Sequence, residues 1–396
     1  MKKLLIAAFM FVSTFTSNLF ADGHAIKMGI ILGFTGPIES LTPAMRDSAK
    51  LAFSEASNSG SLLGGKKITV IEGDSTCVDS AAAQAAAEKL VADGVVAIMG
   101  ADCSGVTGAI ASNVAVPNGV TMISPSATSP GLTGLDDKGF FFRTAPSDAR
   151  GGQILADITK DRKIKSVAIT YTNNDYGKGL ADVYEAAVKA HGIKVTTVAA
   201  HEDGKADYTA EVSTLASAGG DAIAVIGYLD QGGKGIIQGS LDSGAFDTFI
   251  LSDGMIGDSL TDAFGKNLNK SFGSLPGSTG KGAGVFAKVA KDGGIDSSGP
   301  YTGESYDAAA LLVLAMQAGG SADRASIAKN VMSVANGPGK KIYPGELKKA
   351  LDLLANGKAV DYEGATGVSF TDVGEAFGSF LEKEIKGGKF KTKKQR

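Results

Sequence analysis

The sequence predicts an α/β molecule of two lobes, each built on a doubly wound parallel sheet, and three observations lead there. Short β-branched runs alternate with amphipathic stretches of about 10–15 residues through most of the first two thirds of the chain, the pattern of βαβ units. The alternation resets once, after a linking stretch containing Arg143-Thr144-Ala145-Pro146. The chain has 396 residues, 43% hydrophobic and 20% charged, which exceeds the ~100–200 of one domain and gives each half enough apolar residues for a core.

Taken in order, the first set of strands is expected over 26–32, 67–72, 95–99 and 121–124, each a short run rich in β-branched residues. Helices over 43–58 and 80–93 fall between them, where apolar residues recur at helical spacing. The second set of strands is expected over 166–171, 194–199, 221–226 and 249–251, with helices over 152–161, 177–191, 208–218 and 231–243. After Asp253 the glycine-rich stretch 273–284 has no strong period, and Gly280–Gly284 reads as a mobile loop. A long helix follows over 305–318. Residues 335–343 are expected as an exposed loop. Returning strands are expected over 362–390 with a turn at Gly387-Gly388, and the last lysine-rich residues as a disordered tail.

Composition narrows the function. The 54 glycines and 10 prolines together stay far below the roughly 25–30% of low-complexity chains, so glycine serves turns and close approaches in a folded protein. Net charge is −3, and basic runs occur only at the two ends, which argues against a nucleic-acid partner. Lys2 and Lys3 precede the apolar run Leu4 to Val12 and then small polar residues up to Ala21, the layout of a secretory signal peptide over 1–21. No apolar run reaches the ~18 residues of a membrane span. With no cysteine near the cleavage site to carry a lipid, the mature chain is expected to be free in the periplasm.

Cys77 and Cys103 are the two cysteines of an exported chain, which suggests one bridge; two separate buried thiols are the alternative. A two-cysteine metal site would need further ligands, and His24, His191 and His201 do not supply them.

In open parallel sheets ligands gather outside the carboxyl ends of the strands. That rule selects Gly33 to Pro37 with Leu41, then Gly100 to Ser104, then Ser124 to Thr128. In the second set it selects Asn173 to Gly177, Gly227 to Asp230, and Ser252 to Gly254. One lobe offers hydroxyls and backbone N–H groups at helix starts, which suit an anion. The other offers Tyr176, Tyr228 and carboxylates, which suit a cation with an apolar body. Ser104 and Thr128 could instead be helix caps, and the tyrosines ordinary half-buried aromatics. Their shared edge favours a site, and a small zwitterion fits between the lobes.

Enzyme signatures are poor by comparison. Gly60 to Lys67 follows a phosphate-loop pattern except that Lys67 stands where Ser or Thr would hold magnesium, and it precedes a strand instead of opening a helix. There is no G-x-S-x-G elbow and no H-E-x-x-H, and none of the three histidines is expected at the cleft edge. The reading is a non-enzymatic binding protein without cofactor or metal.

Several stretches resemble one known family. They are Gly73-Asp-Ser-Thr-Cys77, residues 81–94, Ile98-Met-Gly-Ala-Asp-Cys103-Ser104, Met122 to Thr133, Phe142-Arg143-Thr144 and Asn174-Asp-Tyr176-Gly177. The family is that of the periplasmic solute-binding receptors of branched-chain amino acid ABC transporters, the leucine/isoleucine/valine-binding type, and the similarity covers nearly the whole mature chain.

The resemblance implies a type I periplasmic-binding fold and a Cys77–Cys103 disulfide that positions Ser104. It also implies that Ser104 and Thr128, with backbone groups around Ala127, hold the ligand carboxylate while Tyr176 closes over the ligand. Asp253 stands where the family usually has a glutamate for the ligand ammonium. Leu41 replaces a common aromatic, and Tyr228 begins a loop that departs from the pattern.

These departures leave the ligand open: a branched-chain or other neutral amino acid, an acidic or hydroxylated one, or an aromatic carboxylate. The expected organisation is a first lobe of 22–146 and 276–355 and a second of 147–275 and 356–396, hinged near Pro146, Pro276 and Ala355. The expected partner is a membrane permease, with the receptor a monomer. A ligand-sensing domain of the same fold is the alternative from another class, though the chain carries no span or fused signalling partner for it.

Overall fold

The computed structural model describes residues 25–396, so the expected signal segment and His24 lie outside the described residues. The chain opens with β1 (Ile26–Leu32), α1 (Thr42–Asn58), β2 (Ile68–Asp74), α2 (Ser80–Ala92), β3 (Ala97–Gly100), α3 (Ser104–Ile110), β4 (Thr121–Ser124) and β5 (Phe141–Arg143). These strands form a parallel five-stranded sheet in the order β2-β1-β3-β4-β5. β3 and β4 are buried along their whole length, as strands covered by helices on both faces must be.

A second βαβ series follows: α4 (Asp148–Asp161), β6 (Ser166–Thr172), α5 (Asp175–Ala190), β7 (Lys194–His201), α6 (Thr209–Ala218), β8 (Ala222–Ile226), α7 (Gly232–Ser243), β9 (Phe249–Leu251), α8 (Asp258–Phe264) and β10 (Phe272–Pro276). The chain then returns to the first sheet with α9 (Lys281–Asp292), α10 (Thr302–Ala318), α11 (Arg324–Ala335), β11 (Lys340–Ile342), α12 (Leu347–Ala355) and β12 (Val360–Tyr362). It ends in β13 (Phe380–Lys386) and β14 (Lys389–Gln395). The second sheet has seven strands, β14-β13-β10-β9-β8-β6-β7, antiparallel only at β13 and β14.

α10 is the packing centre of the first lobe. Its residues from Ser305 to Gln317 are buried, and it lies between α1, α11, α12 and the strands β3 and β4. A helix buried on every side shows no amphipathic stripe, and the run Ala308-Ala309-Ala310 lets its neighbours approach closely.

Several boundaries differ from the sequence expectation for local reasons. α4 begins at Asp148 instead of 152, because Ser147 Oγ accepts the Ala149 N–H at 3.2 Å and starts the helix ahead of two glycines. Gly152 is needed there, since a Cβ would lie 2.7 Å from Val183 on the adjoining α5. β10 carries Gly273 and Pro276, which masked it as a strand; a Cβ at Gly273 would meet the Leu251 carbonyl oxygen at 2.2 Å.

Gly280 to Gly284 is not a loop but the first turn of α9, pressed against Gly364. Within 335–343 the chain forms β11, which pairs with β12 and buries Ile342. The lysine-rich end is β14, not a tail. The last crossover also falls later than Ala355, because β12 pairs with β11 and packs on α11, and the chain rejoins the second sheet only at Phe380.

Candidate functional site

The strand-end loops of the first lobe are fixed by one buried carboxylate and one covalent bond. Asp102 accepts the Gly33 N–H at 2.6 Å through Oδ2, and the Ser75 hydroxyl and Cys103 N–H, each at 2.9 Å, through Oδ1. It thereby ties together the exits of β1, β2 and β3. Burial pushes its carboxyl up, and these three donors pull it back down. The Cys77–Cys103 disulfide joins the same loops and leads directly into Ser104, the first residue of α3.

Ser104 Oγ accepts the Ser129 N–H at 3.0 Å. Ala127 to Ser129 is held from behind by Arg143 on β5, whose guanidinium donates to the carbonyls of Ala127 at 3.2 Å and Ser129 at 2.8 Å. The same guanidinium reaches Thr133 Oγ1 and Glu375. Thr128 stands between the two clamped carbonyls, wholly buried.

From the second lobe, Tyr176 lies in the first turn of α5, whose start is capped by Asn174 accepting the Gly177 N–H at 3.0 Å. Its ring stacks on Tyr228 with centroids 5.2 Å apart, and its hydroxyl donates to Asp253 Oδ1 at 2.6 Å. Tyr301, just ahead of α10 in the first lobe, donates its hydroxyl to Asp253 Oδ2. Burial raises the Asp253 carboxyl, and the two phenols oppose that rise. Both phenols are pushed well above the usual tyrosine range, first by burial and then by the Asp253 charge.

Further contacts cross the cleft. The Asp230 N–H donates to the Pro37 carbonyl at 3.0 Å, the Ser40 N–H to Asp230 Oδ2 at 3.0 Å, and the Ser129 hydroxyl to the Asp175 carbonyl at 3.0 Å.

These elements enclose a cavity of about 30 Å³ between the lobes. Ser104, Tyr176, Tyr228, Asp253 and Leu41 all border it, five of the residues expected from sequence, and Leu41 joins Ile38 and Met45 in an apolar end. Ala127 and Thr128 lie behind this wall, in the loop bonded to Ser104. The closed shape leaves no room for an amino acid unless the lobes part. A hollow of about 530 Å³ lined by Lys138, Phe140, Lys329 and Val373 runs along the outer strand β5, away from this cluster.

Sequence reasoning missed Ile38, Met45 and above all Tyr301, which reaches the cavity only because the third pass of chain returns to the first lobe. A Pro-Tyr pair opening the long apolar helix is the one local signal. His201 is the last residue of β7, buried, with Nδ1 2.8 Å from Thr170 Oγ1 and its pKa lowered by burial to about 4. Among the described residues no cluster of three His, Cys, Asp or Glu could hold a metal ion.

The family model for periplasmic binding proteins matches residues 25–346. Leu/Ile/Val-binding protein homolog 1 of Brucella melitensis biotype 1 is 31% identical over 340 residues, covering 83% of this chain and 88% of that protein. Homolog 3 of the same organism is 32% identical over 236 residues, a match that spans 59% of this chain and 62% of that protein, just under two thirds of its length. Among solved structures, the isoleucine complex of the branched-chain amino acid transporter substrate-binding protein LivJ from Streptococcus pneumoniae superposes with a TM-score of 0.76 at 23% identity, covering 94% of this chain and 99% of that one. A benzoate-bound solute-binding protein of an ABC transporter from R. palustris superposes with 0.75 at 16% identity, covering 94% and 96%. At these identities the structural likeness is one of fold.

Proposed function

Because this chain belongs to the periplasmic binding protein family, we propose that it is the solute receptor of an ABC importer, capturing a small neutral amino acid of the branched-chain type and presenting it to a membrane permease. The observation that carries the reading is the composition of the cavity between the strand-end loops of the two lobes: hydroxyl and N–H donors at the start of α3, a carboxylate at Asp253, and an apolar end of Ile38, Leu41 and Met45. An α-amino acid has an anion, a cation and an apolar body in that arrangement.

The ligand carboxylate meets Ser104, Thr128 and the backbone near Ala127 first. Its ammonium then pairs with Asp253, and Tyr176 and Tyr228 close over it. Hinge closure around a ligand is a known motion for such two-lobed proteins. Closure is favoured only by contacts that both lobes make at once, since a ligand shifts an equilibrium by its differential affinity alone. Residues 22–146 with 276–379 and residues 147–275 with 380–396 act as the two bodies, the protein works as a monomer, and it turns over nothing. Residues 1–21 direct export to the periplasm, and no described helix is long and apolar enough to cross a membrane.

An aromatic carboxylate is the second reading, favoured by the stacked Tyr176–Tyr228 pair. It leaves the buried Asp253 without a cation, which is costly. Calorimetric titration of the mature chain with leucine, isoleucine, valine, benzoate and 4-hydroxybenzoate separates the two. Binding of the first three, and not of the aromatic acids, is expected; the reverse order replaces this function with the second.

A further inference from the structure

Two of the bonds that cross the cleft involve the binding wall itself. Tyr301 donates to Asp253, and Ser129, in the loop bonded to Ser104, donates to the Asp175 carbonyl. A third contact lies outside that wall. Asp230, in the loop between β8 and α7 of the second lobe, meets the turn that leads into α1 of the first. Its N–H donates to the Pro37 carbonyl and its Oδ2 accepts the Ser40 N–H, each at 3.0 Å. None of Pro37, Ser40 and Asp230 borders the cavity.

The start of α1 is short of partners of its own. The first N–H groups of a helix have no partner within it, and a Ser, Thr, Asp or Asn side chain just ahead commonly accepts one of them. Leu41 holds that position here, no side chain caps the helix, and its first turn carries no acid. Asp230 instead brings a carboxylate from the other lobe to the turn just ahead of it. That carboxylate is aimed from behind: on its own side of the cleft, the Ser259 hydroxyl on α8 donates to Oδ1 at 2.7 Å, leaving Oδ2 for Ser40. A negative charge held near the positive end of a 17-residue helix adds to the hydrogen bond.

We propose that Asp230 is a clasp, a positioning residue that bridges the lobes only when they are closed, raises affinity for each ligand by one common factor and slows release, without touching the ligand. The proposal rests on the receptor reading above and deepens it, assigning part of the affinity to a contact outside the pocket. Opening parts Asp230 from Pro37 and Ser40 and gives their hydrogen bonds to water, so the clasp favours the closed state whatever fills the cavity. A contact present after closure and absent from the first encounter acts on dissociation more than on capture.

The test measures leucine and valine by calorimetry, and the release of tritiated leucine into excess unlabelled leucine, on the mature chain and its Asp230→Ala and Asp230→Asn variants. Asp230→Ala is expected to weaken both ligands by the same factor, about 5–10-fold, the cost of deleting a cap at a helix start. The loss should appear as faster release, with capture changed by less than about twofold. Asparagine keeps an acceptor for the Ser40 N–H but not the charge, so Asp230→Asn should recover part of the loss; it also decides the matter if the alanine variant fails to fold. Unchanged affinity overturns the proposal, as does a leucine-to-valine affinity ratio shifted by more than about threefold, or a loss confined to capture. Absence of leucine and valine binding by the wild type overturns the amino-acid reading instead. The clasp is then read with benzoate, which Asp230→Ala should weaken by the same factor.

Discussion

Asp253 is the residue on which the ligand's charge depends. Its carboxylate is buried and held by two phenols, so Asp253→Asn should cost at least about 100-fold in leucine affinity, the scale for truncating a buried charge pair, while leaving the circular dichroism spectrum unchanged. An unchanged dissociation constant removes Asp253 from the site. Tyr301→Phe deletes one hydroxyl that crosses the cleft, and should weaken leucine by roughly 10–100-fold, the worth of one charge-assisted hydrogen bond. The strand-end rule located Ser104, Tyr176, Tyr228 and Asp253 because each lies within a few residues of a strand that alternation reveals. Tyr301 was illegible for the opposite reason: it follows no strand of either sheet.

Individual elements are held by a few cross-links whose loss is measurable. Reducing the Cys77–Cys103 bond frees a loop worth up to ~3–4 kcal/mol in the chain-entropy model, and it also loosens the lead into α3. Dithiothreitol should therefore lower the melting temperature and weaken ligand binding together; a lower melting temperature with unchanged affinity means that the bond does not position Ser104. Arg143 performs the same task for the loop after β4. Arg143→Met strands the Glu375 carboxylate and two carbonyls, a loss of about 3–5 kcal/mol expected in urea unfolding.

The elements that eluded the sequence share a cause. β14 alternates lysines with little besides Phe390 to bury, so its strand character comes from pairing with β13 and from Arg396 bonding Glu382 and Asp161. α9 begins in glycines whose purpose is the close approach to Gly364. In both, tertiary contact decides against local propensity.

At the scale of the molecule, two series of βαβ units and the reset between them were legible, because each parallel strand announces itself by a β-branched run. The position of the last crossover was not, since β11 and β12 have three residues each and pair only with one another. Where the first crossover passes α10, Thr144 donates to the Glu304 carbonyl at 2.9 Å, and burial raises the Glu304 carboxyl to about 8.

The folded state thus holds a proton on Glu304 that the unfolded chain, ionising near 4.5, gives up. This stability is fully present below about pH 4.5 and is lost as pH rises through 8, on the order of a few kcal/mol. Urea unfolding at pH 5 and pH 8 should show wild type losing ground to Glu304→Gln at the higher pH; parallel curves refute it. His201 acts in the other direction: its folded pKa of about 4 against 6.5 withdraws stability as pH falls between those values.

The chain has nine tyrosines and no tryptophan, so its near-ultraviolet emission comes from phenols alone. A phenol bonded to a carboxylate is quenched, and the two that flank Asp253 are attached to different lobes. When the lobes separate, Tyr301 leaves that acceptor and should brighten. The molecule thus carries a built-in optical gauge of its own opening, readable in a stopped-flow mixer without any dye.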